Sequence, residues 1–150
     1  MSTRLSTRVA RAVALISPGF YFILPAMPLA EDIVTSRHRL TSYSEQTVSI
    51  NEAVYHQSLI LTADSLFTPW PVASIADLDH ESLAPIFESQ PAVVLLGTGS
   101  RQQFPEARIF AMFGEKGIGL EAMDNGALCR TFNILVAEDR AVTAAIILPG

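Results

Sequence analysis

The sequence predicts an α/β domain in which a mixed sheet is flanked by helices. In the first half, alternating apolar and polar residues surround a two-residue turn, which indicates an antiparallel hairpin. From residue 92 to residue 148, short apolar runs alternate with segments of helical periodicity, a pattern typical of strand–helix–strand units. With 150 residues, 49% of them hydrophobic and 17% charged, the chain suffices for one domain with one core.

The first thirty residues are predicted to contribute nothing to the fold. They carry three arginines, no acidic residue and an apolar patch that prolines interrupt. Because a bilayer-spanning helix needs about 20 consecutive apolar residues, no transmembrane segment is expected. An extension or disordered tail, an organellar transit segment and a secretory leader all remain open. Residues 31–150 are predicted to form the single α/β domain.

The predicted hairpin pairs a strand over residues 47–50 with a strand over residues 53–62. Asn51 and Glu52 occupy the turn between them. The second strand ends in the continuous apolar run Leu59–Leu61, which indicates that this part is covered on both faces.

A rigid turn and a short helix follow the hairpin. Trp70 lies between two prolines and is expected to hold the turn against the core. Either Asp77 or Asp79 is expected to cap a helix over about residues 80–89, because its carboxylate accepts from the free amides of the first turn.

Strands and helices alternate through the second half of the chain. The predicted elements are a strand over 92–96, a helix over 105–114, a strand over 118–123, a helix over 126–137 and a closing strand over 141–148. Pro105 suits the first position of its helix because its missing N–H has no partner there anyway, and Asp124 or Asn125 is expected to cap the next helix. The first two of these strands are expected to be parallel with a right-handed crossover. The apolar closing strand is placed inside the sheet.

Composition and residue spacing exclude several classes of function. The net charge is −5, and since residues 1–30 carry three arginines and no acid, residues 31–150 stand at −8. Such an acidic body repels phosphate backbones, so no nucleic-acid partner is expected. The single cysteine excludes an internal disulfide and a thiolate cluster, and the three histidines lack the spacing of metal ligands or of a hydrolase triad. We therefore predict no catalytic residue, no metal site and no cofactor.

Polar residues gather where two predicted parallel strands end, which is where α/β folds place their sites. Gly97 and Gly99 resemble the start of a dinucleotide-binding turn, but Gln102 stands where the third glycine would fall, so a tight turn is the favoured interpretation. The candidate pocket comprises Gly97, Thr98, Gly99, Ser100, Arg101, Glu121, Asp124, Asn125, Cys129 and Arg130.

Two alternatives are open for this pocket. It binds a small anion through backbone amides, a helix start and arginine, or Arg130 pairs with an acid and joins the two loops. For Cys129, the helix dipole and Arg130 are expected to lower the pKa of the thiol. The alternative is an inert thiol packed in the core.

The segments VVLLGTGSRQQFP and GIGLEAMDNGALCRTFNIL resemble a family of small single-domain α/β proteins of bacteria and archaea, mostly uncharacterised. That family includes the mitochondrial assembly factor 3 of respiratory complex I, the NADH:ubiquinone oxidoreductase. The resemblance covers about residues 35–148. It implies a three-layer α/β/α fold with a mixed central sheet, no established enzymatic activity, and a role by protein contact in building a membrane-bound respiratory complex. This chain departs from the family at Asn125 and Gly126, where helix formers other than glycine are usual.

Two functions are therefore carried forward. The first is a non-catalytic assembly or interaction factor with a protein partner, such as respiratory complex subunits or assembly factors. The alternative is a small-molecule binder or an enzyme of unknown reaction that uses the loop ends at residues 97–101 and 121–130. A cytoplasmic location is expected if the chain is bacterial, and a mitochondrial one if the leader is a transit segment. A homo-oligomer stays open.

Overall fold

The computed structural model describes residues 37–149. The predicted leader and its boundary at residue 30 lie outside the described residues. The strands are β1 (Leu40–Tyr43), β2 (Val48–Ile50), β3 (Ala53–Tyr55), β4 (Leu59–Leu61), β5 (Leu66–Phe67), β6 (Val93–Gly97), β7 (Gly119–Met123) and β8 (Val142–Ile146). The α-helices are α1 (His80–Glu88), α2 (Ala107–Glu115) and α3 (Asn125–Ala137), and a 3₁₀ turn spans Ile75–Asp77.

The N-terminal hairpin is part of a small antiparallel sheet with the order β1-β2-β3. Ile50 pairs with Ala53 across the turn. Asn51 and Glu52 have positive φ values of 49° and 84°, and positive φ at both central residues characterises the two-residue turn whose twist matches the flanking strands. The predicted hairpin and its turn are thus confirmed, and β1 adds a strand that the sequence did not indicate.

The predicted strand over residues 53–62 is wrong as a single element, because the chain changes sheets within it. β3 ends at Tyr55, and β4 pairs with β8 and β5 in the other sheet. Buried Ser58 fixes the point of change: its hydroxyl donates to the Val72 carbonyl at 2.6 Å and accepts from the Leu148 amide at 2.8 Å. The run Leu59–Leu61 is fully buried, as its apolar content predicts.

The central sheet has five strands in the order β5-β4-β8-β6-β7. Strand β6 is parallel to both β7 and β8, whereas β4 is antiparallel to β8 and to β5. The sheet is therefore mixed. The closing strand β8 lies in its middle, as predicted, and β6 and β7 are parallel, as predicted.

Each face of the central sheet is covered by its own apolar core. Leu59 and Leu61 of β4 pack with α3 and the small sheet, while Ile60 between them packs with α1, α2 and Trp70. This alternation follows from the two-residue period of a strand. The result is the three-layer α/β/α arrangement, in which the small sheet shares one outer layer with α3.

Trp70 holds its turn against α1, as the sequence predicts. The indole is buried, and its Nε1–H donates to the Ser82 carbonyl at 2.8 Å. Asp79 caps α1 by accepting from the Ser82 amide at 2.8 Å, and this hydrogen bond is the main cause that lowers the pKa of Asp79. Asp77 instead accepts from the amides of Ala73 and Ser74.

Two helix starts differ from the predictions. Glu106 has an extended backbone, with φ −63° and ψ 157°, so α2 begins at Ala107 and the buried Pro105 precedes the helix instead of opening it. Asp124 caps α3 by accepting from the Ala127 amide at 2.8 Å, which makes Asn125 the first helical residue.

Gly126 has a packing role at the start of α3. A Cβ atom at this position would overlap the Tyr43 ring, with 2.6 Å to its Oη. The absent side chain therefore lets Tyr43 of β1 lie against the helix. This contact explains why a residue with a helix-propensity cost of about 1 kcal/mol stands there.

Candidate functional site

The ends of β6 and β7 meet on one rim of the central sheet. Gly97 and Met123 are partners in the parallel register, and the Thr98 amide donates to the Met123 carbonyl at 2.9 Å. Beyond the strands, the Asn125 amide donates to the Gly99 carbonyl at 2.8 Å. The common rim that parallel strands predict is therefore present.

Buried Asn125 joins this rim to the end of β8. Its Oδ1 accepts from the Gly99 amide at 3.2 Å, and its Nδ2 donates to the Ile147 carbonyl at 3.0 Å. Gly97 makes room for this side chain, because a Cβ atom there would overlap Asn125 Oδ1. The amide thus links three consecutive strands of the sheet, β7, β6 and β8, at their carboxyl ends.

Thr98 organises the loop that leaves β6. Its buried hydroxyl donates to the Arg101 carbonyl at 2.6 Å and accepts from the Gln103 amide at 3.0 Å. Gln102 reaches β7, where its Nε2 donates to the Ala122 carbonyl at 3.0 Å. The hydrogen bonds of the Thr98 amide and of Asn125 join the two loops directly, so the crevice between them is closed by the chain itself.

An open cleft of about 310 Å³ lies on the other side of the β6 loop. It is bordered by the turn between β1 and β2, by the segment before α1 and by the residues that follow β6 and β8. The lining residues are Glu45, Gln46, Ala73, Ser74, Ile75, Thr98, Gly99, Ser100, Arg101, Gln103, Ile147 and Pro149. We call this the rim cleft.

The candidate residues divide between the cleft and its support. Thr98, Gly99, Ser100 and Arg101 line the rim cleft, whereas Gly97 and Asn125 hold the loop in place behind it. The other four, Glu121, Asp124, Cys129 and Arg130, do not line it.

Charged candidates outside the cleft are solvent-facing or structural. Glu121 and Arg130 are exposed, and Asp124 serves as the cap of α3. Within residues 37–149, neither Arg101 nor Arg130 forms an ion pair, whereas Arg108 pairs with Glu106 at 2.7 Å. The alternative in which Arg130 joins two loops through an acid therefore does not occur within this part of the chain.

The residues of the opposite wall of the cleft could not be predicted as site residues from the sequence. Glu45 and Gln46 belong to a short polar turn, and Ser74 precedes a 3₁₀ turn. Their approach to residues 98–103 depends on how the small sheet and the Trp70 turn pack on the central sheet, which no local pattern specifies.

Cys129 belongs to the core beneath α3. It is 5% exposed and packs among apolar side chains of the small and central sheets. Burial raises the pKa of its thiol to about 11, and the nearby Arg130 opposes this only in part. The expectation of a lowered pKa is wrong, because desolvation of a thiolate outweighs a guanidinium that points to solvent.

The thiol of Cys129 is therefore expected to resist modification in the folded protein. At pH 8, Ellman's reagent should react with folded Cys129 only as fast as the protein opens locally or globally, and promptly once urea unfolds the chain.

The buried thiol also makes stability depend on pH. Because the folded pKa of about 11 exceeds the ordinary value of 9.0, the contribution of Cys129 to stability is complete below pH 9 and is lost as the pH rises to 11.

Cys129→Ala is the matched control for this pH dependence. Comparing urea unfolding of the two proteins at pH 8, 9.5 and 11 isolates the effect of the thiol from every other pH-dependent change in stability. An equal decline in both proteins, or rapid labelling of the folded wild type, would contradict a buried neutral thiol.

Histidines do not contribute to the cleft. His38 donates from Nδ1 to the Thr62 carbonyl at 2.9 Å, and no histidine is among the lining residues. In the described part of the chain, no group of three or more His, Cys, Asp or Glu side chains is placed to hold a metal ion. None of the helices in residues 37–149 has the length and hydropathy needed to cross a membrane.

Two known proteins resemble this chain over most of its length. NADH dehydrogenase (ubiquinone) 1 alpha subcomplex assembly factor 3 of Danio rerio is 35% identical over 111 residues, which cover 72% of this chain and 63% of that protein. The 13 kDa major membrane protein of Francisella tularensis is 27% identical over 122 residues, covering 81% of this chain and 99% of that protein. The chain thus spans less than two thirds of the Danio rerio relative.

A solved structure supports the same relationship. A Xanthomonas campestris protein determined by NMR is 42% identical, with a TM-score of 0.70, and the match covers 75% of this chain and 86% of that chain. The family model described as "Protein of unknown function (DUF498/DUF598)" matches residues 40–147, which include every strand and helix given above. The chain therefore belongs to this DUF498/DUF598 family, in agreement with the resemblance found in its sequence.

Proposed function

We propose that this protein is a non-catalytic factor that acts by protein contact in the assembly of a respiratory NADH:quinone oxidoreductase. The observation that carries the proposal is the 35% identity, over 111 residues, to a protein named as an assembly factor of NADH dehydrogenase. A second relative, from Xenopus tropicalis, has the same name and is 32% identical over 110 residues. We expect the role to be cytoplasmic in a bacterium, and mitochondrial if residues 1–30 are a transit segment.

The outer face of α2 is the surface that best suits such a contact. Beside the charged Arg108 and Glu115, four of its exposed residues are apolar or small and recur at helical spacing: Ala107, Phe110, Ala111 and Gly114. Phe104, which is 66% exposed, lies in the loop just before the helix. We call these five residues the α2 patch.

The inner face of α2 is apolar as well. Ile109 and Phe113 are buried in the core beneath the sheet. Phe104 and Phe110 therefore add exposed aromatic rings outside a helix that is already packed on its inner face, and aromatic side chains are enriched at the centres of protein interfaces. The α2 patch is therefore where we expect a partner to pack.

Affinity purification of the full-length chain, expressed at its native level, tests the proposal. We expect subunits of NADH:quinone oxidoreductase, or its assembly intermediates, to copurify with the wild type. The double variant Phe104→Ser/Phe110→Ser should recover at least about tenfold less, since even one aromatic hot spot contributes about 2 kcal/mol and about 1.4 kcal/mol is a factor of ten.

Ile134→Ser is the matched control for the double variant. Ile134 is 58% exposed on α3, which packs on the opposite face of the central sheet. Its replacement removes a comparable apolar side chain without touching the α2 patch, so recovery should be unchanged. A wild-type purification without respiratory subunits would refute the proposed role, and equal losses in both variants would refute the α2 patch.

A further inference from the structure

We propose that the rim cleft binds a monocarboxylate, meaning a ligand with one carboxylate beside a short apolar group. The ligand is either a small acid or the C-terminus of a peptide. The inference rests on the cleft alone and does not depend on the proposed assembly role.

Ser100 and Arg101, which line one wall of the cleft, carry hydrogen-bond donors without an acceptor among residues 37–149. The backbone amides of Ser100 and Arg101 meet no acceptor within residues 37–149, and the Ser100 hydroxyl likewise has none there. The Arg101 guanidinium, in the same loop, forms no ion pair with any described residue. Amides next to a guanidinium form a typical carboxylate site, because the guanidinium fork matches the two oxygens and charge strengthens each hydrogen bond.

This donor wall is fixed before any ligand arrives. Thr98 ties the two ends of the loop together through the Arg101 carbonyl and the Gln103 amide. Behind the loop, Asn125 accepts from the Gly99 amide. A rigid donor set binds more tightly than a mobile one, because less conformational entropy is lost on binding.

The charge of the lining favours one negative charge on the ligand. Arg101 contributes one positive charge, and Glu45 is the acidic residue among the lining side chains. Arg101 can neutralise one negative charge of a ligand, and the lining holds no second cation among residues 37–149, so a dianion such as phosphate would keep an unpaired charge near Glu45. A carboxylate, with a single charge, is the better match for Arg101.

Apolar residues lie among the polar residues that line the rest of the cleft, and they leave room for a short apolar group. Ala73, Ile75, Ile147 and Pro149 supply apolar lining. The volume of about 310 Å³ is at the lower end of the range of small-molecule sites, which is about 300–1,000 Å³. The cleft therefore suits a side chain of valine size beside the carboxylate, but not a nucleotide.

Titration of the ¹⁵N-labelled full chain by NMR tests the inference, with N-acetyl-valine as the probe. We expect saturable shifts of the Ser100 and Arg101 amides with the free acid and none with N-acetyl-valinamide, which has the same shape without the charge. Inorganic phosphate should bind more weakly at the same amides. Identical shifts with acid and amide, no saturable shifts at this loop, or tighter binding of phosphate would each overturn the inference.

Two arginine variants separate the site from the general charge of the protein. Arg101→Gln is expected to raise the Kd for N-acetyl-valine about tenfold, as loss of a charge-assisted contact implies. Arg130→Gln removes the same charge from exposed α3, outside the lining, and should leave the Kd unchanged. Because both side chains are exposed, neither variant should impair folding. Equal effects of the two substitutions would overturn the assignment to the cleft.

A third arm distinguishes the two sources of the carboxylate. A hexapeptide ending in valine should bind at least about tenfold more tightly than N-acetyl-valine if the ligand is a protein C-terminus, because preceding residues extend the contact. Equal or weaker binding of the peptide identifies a small acid instead. Either result supports a monocarboxylate site, and binding of neither probe contradicts it.

Discussion

Gly97→Ala is expected to lower the free energy of unfolding by about 3 kcal/mol, although it adds only one methyl group. The new Cβ would overlap Asn125 Oδ1 and lie 3.0 Å from Leu128 Cδ1. Asn125 would have to move, so the Gly99 amide would lose a partly buried hydrogen bond and the Ile147 carbonyl a buried one. Urea unfolding followed by circular dichroism measures the loss.

The double variant Gly97→Ala/Asn125→Ala identifies the cause. Asn125→Ala alone should cost about 2–3 kcal/mol, because it leaves buried polar groups unpaired. Once this side chain is absent, the added methyl group has room, so the double variant should be little less stable than Asn125→Ala. Additive losses would show that the contact between Gly97 and Asn125 is not the source of the effect.

Trp70→Ala is expected to cost about 3–5 kcal/mol, the range for removing a large buried aromatic side chain. Trp70 is 2% exposed and fills the core between the central sheet and α1. Since whole domains are stable by only about 5–15 kcal/mol, this change removes a large share of the total. Thermal and urea unfolding, followed by circular dichroism, provide the measurement, because the variant lacks the chain's one tryptophan.

Trp70→Phe separates packing from hydrogen bonding in this turn. It keeps a ring in the core and removes the Nε1–H that donates to the Ser82 carbonyl, so we expect a cost of about 1–2 kcal/mol. It should also loosen Ala73 and Ser74, which follow the turn, without altering Ser100 and Arg101. If Trp70→Ala costs less than Trp70→Phe, the indole is not a core residue as described.

The strand-and-helix alternation of the second half was predictable because each element carries its own periodic signal. The run Val142–Ile146 is apolar apart from Thr143, as expected for a strand covered on both faces. Asp124 likewise identifies a helix start through local chemistry alone. Such features depend on residues that are close together in the sequence, so they can be predicted from local sequence pattern alone.

The division of residues 53–62 between two sheets was not predictable in the same way. Both halves have extended-strand character, and the change depends on Ser58 binding partners 14 and 90 residues away in the chain. The rim cleft was also not predictable from local pattern, because it too is formed by residues that are far apart in the chain. Arg101 was identified from its place after a strand, but Glu45 reaches the cleft only through the packing of one sheet on another. Tertiary contacts of this kind override or supplement local pattern.

The amide of Gln102 has a consequence for how the protein behaves when concentrated. β7 is the outermost strand of its sheet, and an uncovered outer strand offers free N–H and C=O groups to other chains, which is a common start of fibrous aggregation. By donating to the Ala122 carbonyl, Gln102 occupies an acceptor on this strand, and Glu121 adds an exposed charge alongside. The same loop that borders the cleft thereby shields the sheet from growing by addition of further strands.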